Sequence, residues 1–318
     1  METFVDKLQL AMQMKKSVLC VGLDPQLKFM PPHLIAEMRA VYGDTEEAIG
    51  ELYYAFNRAI IDAVEPSAGV VKPQAAFYTR SAHTWHALEK TQAYAKYKGL
   101  LRIKDAKCKD GGDTAQAYAE AHIGEVPFFD GDRAVAPIRG DAVTIDGYIG
   151  ENCVGYFAQE VRLHGTCAFV VDKTSFEPNS AIEQLVTDNG LTVWERLAHY
   201  VSVWGEGTEG KNGYRNVGVV MGATFPEDAP KMRKILPKAL MLVPGYGAQG
   251  GGAEGAVVPF NEDGFGAVVN SSRGIIAAWQ KGPFACDPKD FAQAAALAAS
   301  AARHDLNVAL MKANKFPF

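Results

Sequence analysis

LLRIKDAKCKD, residues 100 to 110, is an apolar run that turns abruptly into charge. In a strand successive side chains point to opposite faces, so Asp105 and Lys107 share the face of Ile103 while Lys104 and Ala106 take the other. If Ile103 packs inward, Asp105 and Lys107 enter the lumen at the C-terminal end of a strand, where barrel enzymes keep their active sites. Opposite charges in a poorly hydrated mouth are costly unless they are paired or committed to a ligand. The D-x-K-x-x-D run of Asp105, Lys107 and Asp110 is therefore read as functional, with a structural ion pair at a strand end as the plainer alternative.

Seven further runs share the β-branched, Gly/Pro-bounded pattern of parallel strands buried on both faces. They are SVLCVGLD from Ser17, AGVVKPQ from Ala68, DAVTIDGY from Asp141, CAFVVDKT from Cys167, VGVVMGAT from Val217, ALMLVPG from Ala239 and GAVVNSS from Gly266. Helical spacing fills residues 45 to 64, 82 to 98, 114 to 123, 152 to 164, 181 to 204 and 227 to 236, and an Ala-rich helix closes the chain from Pro288 to Ala313. Eight strands alternating with helices predict an α/β fold, a closed (β/α)8 TIM barrel in one domain over residues 1–318. METFVDKLQLAMQMK predicts an N-terminal helix and no signal peptide. Two stretches break the alternation: Asp24 to Asp44, and GEVPFFDGDRAVAPIRG from Gly124 to Gly140, a Pro- and Gly-rich loop insertion after the third helix.

The 318 residues are 48% hydrophobic and carry a net charge of -5. That balance offers no global attraction to nucleic acid, so any phosphate must be met by a local site. No apolar stretch reaches the ~18 residues of a membrane span. The five cysteines are odd in number and scattered, which suits reduced thiols in the cytoplasm better than a disulfide framework. Seven histidines form neither H-E-x-x-H nor a Cys/His ligand cluster, so no metal site is expected.

Lys72 ends the second strand, and Gly22-Leu23-Asp24-Pro25 ends the first; in a barrel these ends converge with Asp105 on one mouth. The last two strands run into Val243-Pro244-Gly245-Tyr246-Gly247-Ala248-Gln249-Gly250-Gly251-Gly252 and Asn270-Ser271-Ser272-Arg273-Gly274. Glycines let backbone N–H groups approach an anion, and an arginine completes a phosphate clamp where this fold usually holds one. Gly245 to Gly250 also matches G-x-G-x-x-G, but so late in the chain, with no acidic residue closing a following strand, a dinucleotide site ranks low.

With these motifs in this order, from about Val18 to Ile275, the chain resembles the orotidine 5'-monophosphate decarboxylases in their longer bacterial and protozoan form. The resemblance implies a cofactor-free homodimer with active sites at the subunit interface. It assigns Lys72, Asp105, Lys107 and Asp110 to an alternating charge network, Asp110 reaching into the neighbouring subunit's site. Asp24 and Thr114 would hold the ribose with Gln74 nearby, Thr174 and Ser175 would approach the pyrimidine, and Gln249, Gly250 and Arg273 would meet the phosphate. The family commonly follows its lysine with Arg-Gly-Asp-Ile, whereas this chain reads Cys108-Lys109-Asp110-Gly111; after Thr174-Ser175 it has Phe176-Glu177-Pro178-Asn179 in place of Asn-Pro. Three rivals share the motifs in part. They are a Mg-dependent sugar-phosphate decarboxylase or hexulose-phosphate synthase of the same barrel group, a non-catalytic phosphate-binding barrel, and a Schiff-base aldolase using Lys104 or Lys107.

Overall fold

Each apolar run becomes a strand because its Val, Ile, Leu and Ala side chains are covered on both faces. The computed structural model describes residues 1–176, 181–247 and 250–318. Among these the strands are β1 Leu19–Leu23, β2 Val70–Pro73, β3 Leu101–Cys108, β4 Val126–Pro127, β5 Arg133–Ala134, β6 Ala142–Asp146, β7 Cys167–Lys173, β8 Arg215–Met221, β9 Ala239–Val243 and β10 Ala267–Ser271. Eight of them close a barrel in the order β1, β10, β9, β8, β7, β6, β3, β2, while β4 and β5 pair separately. The (β/α)8 barrel expected from the alternation is the fold observed.

The register brings the charged strand ends together. Gly22 on β1 lies beside Lys72 on β2, and an isolated bridge sets Gln74 beside Asp105 on β3. At the opposite end, the N-terminal helix Phe4–Lys15 covers the barrel floor with Phe4, Val5, Leu8 and Met12. Its first N–H groups find acceptors there: Phe4 donates to the Gly165 carbonyl and Val5 to Oδ1 of Asn216. A closed floor leaves the mouth as the end open to a substrate. No helix among the described residues is long and apolar enough to cross a membrane.

Two expected elements need correction. The stretch from Asp24 to Asp44, expected as a loop, contains a helix at Pro32–Tyr42. The Pro31-Pro32 pair that suggested a loop instead sits at the helix start, where proline's fixed φ and missing N–H do no harm, and Leu34, Ile35 and Met38 pack on the core. The helix expected over 181 to 204 is two helices, Ala181–Gln184 and Val193–Trp204, separated by a turn in which Val186 bridges Thr192. Gly190 takes φ 80° in that turn, and Thr192 with Glu195 builds a capping box that starts the second helix. Within 124–140 the β4 and β5 hairpin carries Phe128 and Phe129 at 60% and 85% exposure.

Candidate active site

Asp105 is the centre of the mouth. Its Oδ2 accepts from Lys72 Nζ at 2.7 Å and Gln74 Nε2 at 3.0 Å. Its Oδ1 accepts from Lys107 Nζ at 2.6 Å and Thr144 Oγ1 at 2.8 Å. Four donors on two oxygens fix the carboxylate and leave it little reason to bind a proton. Burial alone would raise its pKa, but Lys72 and Lys107 outweigh it and hold Asp105 well below the usual carboxylate range. Lys72 answers in kind: burial favours its neutral form, yet Asp105 and Asp24 keep the ammonium charged and push its pKa up.

The two lysines differ in access. The Lys72 side chain is 6% exposed and that of Lys107 is 51%. Lys107 owes its position to an irregularity in β3, whose pairing with β6 shifts register between Lys104 and Cys108. Lys107 itself adopts φ 48°, a left-handed conformation that costs a non-glycine residue energy and is typical of sites where a side chain is re-aimed. Its backbone N–H donates to Thr144 Oγ1 at 3.0 Å. Lys104, on the other face, is fully buried with Nζ 5.0 Å from the centre of the Trp85 ring, and burial pulls its pKa down to about 8.

Beside Lys72, half-buried Asp24 has its Oδ1 shut off from solvent with no hydrogen-bond partner among the described residues. Burial raises its pKa, against the pull of Lys72 and a hydrogen bond from Ser272. Asn270 Nδ2 donates to Ser272 Oγ at 3.3 Å, so the end of β10 braces this carboxylate. Asn270 Oδ1 and Thr174 Oγ1 are likewise shut off from solvent without partners among the described residues. Unmet acceptors at a mouth are where a ligand's hydroxyl or N–H groups fit, because a buried polar atom left alone is costly.

The segments expected to meet a phosphate follow β9 and β10, whose register pairs Val243 with Val269. Gly245, Gly247 and Gly250 take φ of 100°, 78° and 94°, conformations that a side chain would strain. Gly247 donates to the Gly251 carbonyl and Gly251 to that of Gly245, folding the loop tightly. Tyr246 clips this loop to the C-terminal helix Phe291–Lys312 through a 2.8 Å hydrogen bond from its hydroxyl to Asp305 Oδ2. Arg273 is exposed and opens a short helix directly after Ser272.

Of the sequence candidates, the structure gathers Lys72, Gln74, Asp105 and Lys107 directly and sets Asp24 against Lys72. Gln74 donates to Asp105, a bond its expected place near the ribose did not suggest. Asp110 stays outside this cluster: it is exposed, and its Oδ1 accepts only from the next N–H, that of Gly111, at 2.8 Å among the described residues. Thr114 is exposed in the first turn of the helix Gly112–Ile123. Thr174 donates its backbone N–H to Glu183 Oε1 at 2.9 Å, and the carbonyl of buried Ser175 accepts from Thr224. Gln249, and residues 177–180 after Ser175, lie outside the described residues. Sequence reading missed Thr144 and Ser272; a lone polar residue inside the apolar run AVTID was the available signal for the first.

Fold and geometry together define a (β/α)8-barrel protein with a lysine–aspartate–lysine cluster at its mouth and a tightly folded glycine-rich loop after β9. Residues 17–282 match the model of the orotidine 5'-phosphate decarboxylase / HUMPS family, and the chain belongs to that family. It is 34% identical over 311 residues to orotidine 5'-phosphate decarboxylase of Caldicellulosiruptor saccharolyticus, covering 98% of this chain and 100% of the relative. The Rhodopirellula baltica enzyme of the same name is 36% identical, with 89% and 91% covered. A crystal structure from Toxoplasma gondii, assigned to orotidine-monophosphate decarboxylase, superposes with a TM-score of 0.77 at 26% identity, covering 98% of this chain and 99% of its own.

Proposed function

We propose that this chain is a carboxy-lyase that converts orotidine 5'-monophosphate to uridine 5'-monophosphate, the decarboxylation for which its relatives are named. The observation that carries the reading is Asp105 held ionised between Lys72 and Lys107. Loss of CO2 from C6 breaks the C–C bond and leaves its electron pair on carbon, with no adjacent carbonyl to receive it. Catalysis must then come from fixed charge and alignment. The exposed Lys107 stabilises the growing negative charge and afterwards gives C6 its proton. Lys72, enclosed, keeps Asp105 charged and in place.

Asp105 beside the substrate carboxylate would disfavour the ground state; two unit charges about 4 Å apart interact by about 4 kcal/mol at an effective dielectric of about 20. That is roughly three decades of rate at most. The remainder falls to Lys107 and to binding energy at the phosphate, where Gln249, Gly250 and Arg273 are assigned. Asp24 and Thr114 take the ribose, with Gln74 nearby, and Thr174 and Ser175 the pyrimidine. Asp110, exposed and outside its own chain's cluster, completes the site of a second copy in a homodimer. The reaction belongs to pyrimidine biosynthesis in the cytoplasm, which suits five cysteines that are all unpaired.

The rival reading, a Mg-dependent sugar-phosphate enzyme of the same barrel group, fits less well with Lys72, where that group usually carries an acidic residue. A spectrophotometric assay with orotidine 5'-monophosphate, run with and without EDTA, separates the two. Turnover unaffected by chelator supports the proposal; turnover absent, or lost with EDTA, overturns it. Lys107→Ala should abolish turnover while nucleotide binding stays measurable.

A further inference from the structure

We infer that Thr144, on β6, is a positioning residue that sets both the Asp105 carboxylate and the backbone of Lys107 for the reaction. This rests on the assignment of Asp105 and Lys107 given above. Thr144 is 1% exposed, and its hydroxyl commits its one proton and one acceptor lone pair to the network. Its single O–H donates to Asp105 Oδ1 at 2.8 Å, and its oxygen accepts the Lys107 N–H at 3.0 Å. One side chain from a neighbouring strand thus ties the acid to the base at the point where β3 departs from regular pairing.

The second bond matters because Lys107 is left-handed at φ 48°. A residue in that region persists only where its surroundings over-determine it, and an N–H turned out of the ladder needs an acceptor. Thr144 supplies one. Without it the local β3 backbone gains freedom, and Nζ of Lys107 drifts from its productive position, which must be held to within about 0.5 Å. The first bond holds Oδ1 of Asp105 in the plane that Lys107 needs. An aliphatic residue here fills the same space and makes neither bond.

Thr144→Val keeps the shape and removes the hydroxyl; Thr144→Ser keeps the hydroxyl and loses a methyl. The valine variant is expected to lose about 10- to 100-fold in kcat, with KM and uridine 5'-monophosphate binding within about threefold of wild type. The serine variant is expected to recover to within about fivefold. Lys107→Ala in the same assay tests the underlying assignment separately: if it retains turnover, the network reading fails, whatever Thr144 does. With Lys107→Ala inactive, Thr144→Val at full kcat overturns the inference. So does a valine variant whose loss appears in KM and product binding and is not relieved by serine, since that pattern belongs to a merely structural threonine.

Discussion

Lys72 and Lys107 divide one carboxylate between them, the first 2.7 Å from Oδ2 of Asp105 and the second 2.6 Å from Oδ1. Similar distances conceal unequal energetics. Lys72 is enclosed, so removing it leaves part of a buried charge without its partner, whereas Lys107 is half exposed and solvent screens its pairing. Lys72→Ala is expected to cost about 3 kcal/mol of stability in denaturant titration. Lys107→Ala should cost under about 1 kcal/mol. Both should lose turnover. Equal destabilisation would contradict the division of roles.

The same network sets a pH response. Asp105 titrates below the ordinary range, so the stability it lends is present above its unfolded pKa and is lost as pH falls through the folded one. Lys72 titrates above its ordinary value, so its share is present below the unfolded pKa and lost only as pH rises through the folded one. The cluster's contribution should be flat from about pH 5 to pH 9. Asp105→Asn should blunt the acid-side fall in melting temperature relative to wild type; identical acid limbs would show that Asp105 is not held ionised.

Asp172 behaves in the opposite sense. Both of its carboxyl oxygens are buried without partners among the described residues, and burial, aided by Glu183, pushes its pKa well up against the pull of Lys173. Its protonated form is the one the fold accommodates, so stability is present at low pH and lost as pH rises toward the folded value. Asp172→Asn should therefore melt higher than wild type at pH 9, with the gap narrowing at pH 5. A constant gap across that range would refute the assignment.

Tyr246 and Asp305 join the glycine-rich loop, proposed to hold the phosphate, to the last helix through a hydrogen bond of about 1 kcal/mol. Tyr246→Phe keeps the ring and cuts this link. A rise in KM of about fivefold with little change in kcat is expected. A change confined to kcat would place the tyrosine in the chemistry instead of in phosphate binding.

Asp110 offers a test of assembly. If two copies share their sites as proposed, a mixed dimer of Lys107→Ala and Asp110→Ala chains, each inactive alone, would contain one site built wholly from intact residues. Random mixing in equal amounts should restore about a quarter of wild-type turnover per site, as two-fold symmetry requires. No recovery despite shown subunit exchange would confine Asp110 to its own chain or to no role at all.

Much of the barrel was legible in the sequence because strand signals are local. A parallel strand covered on both faces must be apolar throughout, and runs such as VGVVM and ALMLV say so without reference to anything distant. Helix Pro32–Tyr42 escaped because a double proline is equally compatible with a loop and with a helix start. The 181–204 region misled because its helical spacing continues across Asn189-Gly190, and only the left-handed Gly190 reveals the turn.

By itself the sequence determined the alternation of strands and helices, the convergence of Asp24, Lys72, Asp105 and Lys107 on one end, and the glycine-rich loop after the seventh barrel strand with Arg273 after the eighth. These follow from side-chain periodicity and from the polarity of parallel strands, which covalent geometry dictates. Only the tertiary structure decided that Thr144 binds both Asp105 and Lys107 and that Lys107 is left-handed and exposed while Lys72 is enclosed. Those depend on the register between neighbouring strands, set by the packing of the whole barrel and by a bulge that no local pattern announces.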